Sequence, residues 1–101
     1  MSKAASAQAA MRLEDIPNIG ASIADDLRLL DIFEPAQLVG QDPYALYRRM
    51  TVVSGVVHDP CLCDTFIAAV RFMEGGPARP WWYYTAERKR RLLEGALKPP
   101  R

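Results

Sequence analysis

With 101 residues, half of them hydrophobic and a quarter charged, the chain is sized for one folded domain and too short for two separate cores. No run approaches the roughly 20 apolar residues of a membrane-spanning helix, and the opening Ala/Ser/Gln stretch lacks the apolar block of a secretory signal, so a cytoplasmic protein is expected. The net charge of +1 is unevenly placed, since residues 1–84 carry seven basic against ten acidic groups and residues 85–101 carry six against two.

The chain divides into a lead-in at residues 1–12, a central domain at 13–84, and a basic C-terminal helix and tail at 85–101 packed on that domain. The opening alanines favour helix but offer few large groups to bury, so the lead-in is expected to fray and turn helical near Met11. Pro17 breaks that helix, and Asn18 and Gly20 both tolerate positive φ, which predicts a tight hairpin. Ile19, Ile23, Leu27 and Leu30 then recur at helical spacing with Asp25, Asp26 and Arg28 between them, as an amphipathic helix requires.

Three later helices are expected to start at an acid followed by proline: Glu34-Pro35, Asp42-Pro43 and Asp59-Pro60. A carboxylate there accepts an orphan backbone N–H, and proline loses nothing by having none. The predicted spans are residues 35–39, 43–50 and 60–74, the last ended by Gly75-Gly76-Pro77 and burying Leu62, Phe66, Ala69, Val70 and Met73. Val52, Val53, Val56 and Val57 read as a buried connecting loop, because a lone strand would have no partner. Trp81 to Tyr84 is expected to be extended, and Thr85 to cap a helix over 86–97 that buries Leu92, Leu93 and Leu97. The sum is an all-α compact bundle of about five or six short helices.

The segment Ile16-Pro17-Asn18-Ile19-Gly20 resembles the helix-hairpin-helix motif, in which a tight turn feeds a helix start. Amides pointing outward beside the positive end of a helix dipole form an anion site, here built from the N–H groups of Ile19, Gly20 and Ser22, with the Ser22 hydroxyl and the Asn18 amide assisting. Such contacts read phosphate and ignore base identity. Gly20 is expected to need its conformational freedom, so that a bulky residue there would damage the hairpin. Arg88, Lys89, Arg90 and Arg91 fan around the last helix, as auxiliary basic contacts or as a solvated surface. Trp and Tyr beside basic residues suit base stacking, but adjacent indoles also bury much area, and burial of Trp81 and Trp82 is the favoured reading. Cys61 falls in the first turn of a helix near His58, where a dipole would depress its pKa; packing of both Cys61 and Cys63 as reduced thiols is the plainer account. A disulfide between them would be strained, and no further ligand completes a metal site, so no metal and no cofactor are expected.

The hairpin, the stretch from Asp42-Pro43 to Leu46-Tyr47, His58-Asp59-Pro60-Cys61, and Pro80-Trp81-Trp82 leading into Thr85-Ala86-Glu87-Arg88 together resemble small bacterial helix-hairpin-helix proteins of the pathogenicity-locus or mitomycin-resistance family. The hairpin is also similar to the C-terminal domain of TfoX-type competence regulators. The first resemblance implies paired helix-hairpin-helix units, with the helices at Pro43 and Pro60 as a degenerate second copy. The function expected is DNA binding without sequence preference and without catalysis, in a DNA-damage or competence setting. Two other readings stand beside it: a module binding a protein partner or a second copy of itself, and a thiol-dependent enzyme or redox sensor at Cys61.

Overall fold

Apolar residues are densest between Cys61 and Met73, and in the computed structural model, which describes residues 3–95, that stretch becomes the central helix. Around it stand three other α-helices and four 3-10 turns, with no strand among the described residues. We label the helices α1 (Ala21–Leu29), α2 (Pro43–Ser54), α3 (Cys61–Met73) and α4 (Thr85–Gly95). The expected five or six helices are therefore four among the described residues, because two expected helices close only as 3-10 turns.

The expected stripe of α3, Leu62, Phe66, Ala69, Val70 and Met73, is buried against Leu13, Ile16, Ile19, Leu27, Leu46 and Met50. Its other side is buried as well: Cys63, Ile67 and Ala68 pack with Tyr44 and Tyr84. A helix apolar on both sides belongs at the centre of a fold. Its C-terminus closes as anticipated, with Gly75 at φ +99, Gly75 N–H donated to Phe72 O and Gly76 N–H to Arg71 O, a Schellman pair. A Cβ on Gly76 would lie 2.8 Å from Arg71 O, so glycine is required there for space.

Two of the three acid-proline starts behave as capping chemistry demands. Asp42 accepts the Tyr44 N–H at 2.9 Å and Asp59 accepts the Cys61 N–H at 2.8 Å. The third differs: Pro35–Leu38 is a 3-10 turn, and the acceptor is Gln37 Oε1, which takes the N–H groups of Phe33 and Glu34 at 2.7 and 2.9 Å.

Four further expectations are corrected. No α-helix precedes the hairpin, only 3-10 turns at Ala7–Ala9 and Leu13–Asp15; Asp15 accepts the N–H groups of Met11 and Arg12, which curls the backbone before a helix can propagate. Residues 51–54 complete α2, which ends at Gly55 in the left-handed region. Val52, Val53, Val56 and Val57 are exposed, Val52 by 82% and Val57 by 84%; Val52 and Val53 lie in the last turn of α2, past Met50, its last buried residue, and Val56 and Val57 follow its Gly55 end. Trp81–Tyr84 is a 3-10 turn running directly into α4, so Thr85 does not cap a separate helix; its hydroxyl is donated to Asp64 Oδ2 at 2.7 Å. Along α4, Leu92 is partly buried and Leu93 exposed, while Leu97 lies outside the described residues. No described helix is long and apolar enough to cross a membrane.

Candidate functional site

The hairpin turns between Ile16 and Ile19. Ile19 donates its N–H to Ile16 O at 3.0 Å, with Pro17 and Asn18 between them and Asn18 at φ +73, the pattern of a type II turn. Asparagine supplies the left-handed residue, so Gly20 need not. Gly20 sits in extended backbone at φ −92, and a Cβ there would meet nothing within 4 Å. The expectation that Gly20 needs special freedom is thereby corrected.

Of the anticipated donors, Ile19 N–H is consumed by the turn, and Ile19 itself is fully buried. Asn18 is also engaged, since its Nδ2 donates to Arg79 O at 2.8 Å and its Oδ1 accepts the Trp81 N–H at 3.3 Å. What remains open is the start of α1. Gly20, Ala21 and Ser22 are exposed, and their N–H groups are bonded to no other described residue. No described side chain caps this helix, and its first turn holds no acid. The starts of α2 and α3 differ, because the Asp42 and Asp59 carboxylates already occupy them.

Two cations missed in the sequence border the hairpin. Lys3 Nζ donates to Glu14 O and Ile19 O, both at 2.6 Å, and the Arg79 guanidinium lies 4.2 Å from the Tyr83 ring centroid. Nothing local pairs Lys3 with a residue sixteen positions later. Arg28 is held by Glu14 at 3.1 Å and Asp25 at 2.8 Å, which locks the first arm of the hairpin to α1. Asp26 faces a partly buried environment that raises its pKa. The aromatic turn is the other surprise. Trp82 is 63% exposed, whereas Tyr84 is buried, so the favoured burial of both indoles is corrected: the short turn aims Tyr84 inward and Trp82 outward.

The four basic residues of α4 have different fates. Arg88 points inward to Asp64, and Arg91 lies 4.9 Å over the Tyr44 ring. Arg90 and Arg91 line a cleft of about 300 Å³ with Tyr44, Arg71 and Glu87, and Lys89 is exposed. Asp64 was missed in the sequence; an acid within an apolar run was the available signal.

The thiol chemistry loses its premise. Asp59, hydrogen-bonded beside it, raises the Cys61 pKa, and burial adds to the rise; burial pushes the Cys63 thiol up to about 12. His58 does not meet Cys61. Its Nε2 lies 2.8 Å from Ser54 Oγ, at the C-terminal end of α2, where helix carbonyls would repel a developing oxyanion. No group of three or more His, Cys, Asp or Glu side chains among the described residues is placed to hold a metal.

Compared with known proteins, residues 6–90 match the family described as Pathogenicity locus, Cdd1. Over 83 residues the chain is 51% identical to a Streptomyces lavendulae protein named mitomycin resistance protein McrB, covering 82% of this chain and 78% of that relative. No solved structure matches.

Proposed function

The chain belongs to the pathogenicity-locus family, and we propose that its hairpin, a shortened helix-hairpin-helix, binds the phosphate backbone of DNA without sequence preference. One observation carries this reading: the N–H groups of the exposed Gly20, Ala21 and Ser22 stand at a helix start that no described side chain caps. A phosphate oxygen seated there accepts those donors and meets the positive end of the α1 dipole. Lys3 and Arg79 add positive charge at the margin. The α2–α3 pair, as a second copy, would be silent toward phosphate, because the Asp59 carboxylate holds the place an anion would take. The grip on a duplex is then one-sided and weak.

Ser22→Glu tests the site. A carboxylate placed there repels phosphate, and at the exposed first turn of a helix it suits the dipole, so helix content by circular dichroism should hold while DNA affinity falls. Affinity for a short duplex should also drop with added salt, with a log–log slope of about −2 if Lys3 and Arg79 are the cations involved. Unchanged binding by the Glu variant would remove the hairpin from the interface.

A second reading rests on a separate observation. Val52, Val53, Val56 and Val57 expose apolar surface within six positions, which favours a module that binds a protein partner or a second copy of itself. Sedimentation that is independent of concentration, and unaltered by Val57→Lys, would exclude self-association.

A further inference from the structure

Asn18 ties two surfaces into one. Its side chain bonds the backbone at Arg79 and Trp81, so the turn carrying Trp82 is fixed against the hairpin that carries the open amides. Trp81 braces Trp82 edge-on, with ring centroids 5.6 Å apart at 86°. Tyr83 stands beside it, and its ring is taken by the Arg79 guanidinium, which holds a positive charge at the edge of the aromatic surface. The Trp82 indole has no such cation over its ring among the described residues and leaves more than half of its area in solvent. Burial of Tyr84 and the Asn18 bonds fix the turn that carries Trp82.

We propose that Trp82 is a stacking platform for an unpaired base, and that the preferred ligand is therefore single-stranded nucleic acid, or a frayed end, whose phosphates sit on Gly20 to Ser22. This rests on the hairpin reading and specifies its substrate. Bases within a duplex stack on each other and present only their edges, whereas an unpaired base has a free face for an indole. The neighbouring Arg79 and Lys3 charges complement the sugar-phosphate chain that must accompany such a base, which an apolar protein partner would not need.

The chain has two tryptophans, so Trp81→Phe leaves Trp82 as its single indole reporter. That variant is titrated with a short oligothymidylate, with a strand of the same length lacking bases, and with a duplex. The base-bearing strand should quench indole emission and bind more tightly than the base-free strand. Trp82→Ala, in the otherwise native chain, should weaken it by about tenfold, and Trp82→Phe should recover part of the loss. Equal binding of the base-free strand, with no effect of Trp82→Ala but a loss on Ser22→Glu, would overturn the platform and leave the hairpin standing. Binding of none of the three ligands would overturn both. Emission quenched by duplex as strongly as by single strand would also overturn the platform.

Discussion

Arg88 reaches from α4 into the interior to pair with Asp64 of α3, its Nε 2.8 Å from Oδ1 and its Nη2 3.4 Å from Oδ2. Asp64 is wholly buried and the Arg88 side chain only 11% exposed. Thr85 supplies the remaining donor. A carboxylate withdrawn from water survives only with such partners, so the pair fastens α4 to the core.

Arg88→Ala should therefore cost about 3–5 kcal/mol, because it leaves a buried charge uncompensated. The double variant Asp64→Leu with Arg88→Met should lose less than Arg88→Ala alone. Urea unfolding followed by circular dichroism measures both, and a single-variant loss below about 1 kcal/mol would mean that the pair is solvated.

Asn18 does two separable jobs, setting the left-handed turn and latching Arg79 and Trp81. Asn18→Gly keeps the first and loses the second, for about 1 kcal/mol of two partly exposed hydrogen bonds. Asn18→Ala loses both and should be worse by about a further 1 kcal/mol, the cost of a Cβ at positive φ. Thermal midpoints should rank wild type, Gly, Ala; an alanine variant as stable as the glycine one would show that the turn relaxes.

Acid should destabilise the fold through particular carboxyls. Backbone N–H groups of Arg12 and Met11 hold Asp15 below its usual range, and its own backbone and Arg28 do the same for Glu14. Burial pushes Glu87 upward, but Arg71 and Tyr44 outweigh it and the net shift is down. A lowered folded pKa means that the unfolded chain binds the proton more tightly, so this stability is complete from about pH 5 upward, above the unfolded values, and is lost as pH falls through the lowered ones. Asp26 runs the other way, since burial raises it, and Asp26→Asn should stabilise the protein at neutral pH. The urea midpoint should stay level from about pH 7 to 5 and fall below about 4, with Glu87→Gln flattening the fall. A midpoint constant to about pH 3 would contradict these assignments.

The thiols should be sluggish. Asp59 and burial raise Cys61, and Cys63 is buried with a pKa near 12. Iodoacetamide at about pH 8 should label Cys61 more slowly than free cysteine and Cys63 only after unfolding. Asp59→Asn should speed Cys61. Labelling faster than free cysteine would restore the case for a reactive thiol.

Much of the fold was legible where one local interaction decides the outcome. Asp42 and Asp59 announce their helices because a cap is made within two residues, and Gly75-Gly76 ends α3 for the same reason. The site was legible only in outline. The turn at Pro17 and the open amides of Gly20 and Ser22 follow from sequence, but the fates of Asn18, Trp81 and Arg88 depend on partners 61, 63 and 24 positions away. The valines of 52–57 misled because hydrophobicity does not by itself mean burial: Val52 and Val53 lie past Met50, the last buried residue of α2, and Val56 and Val57 lie beyond its end. At the lead-in, alanine propensity was outbid by one carboxylate, that of Asp15.

The first arm of the hairpin is a single 3-10 turn, so its stiffness comes from a distant clasp. Lys3 spans two carbonyls, and Ala4 N–H reaches Asp15 O at 2.8 Å. The amino-terminal segment thus acts as a guy-rope for a loop it does not belong to. Slackening it would loosen the orientation of the Gly20 to Ser22 amides without melting a helix, leaving the core intact.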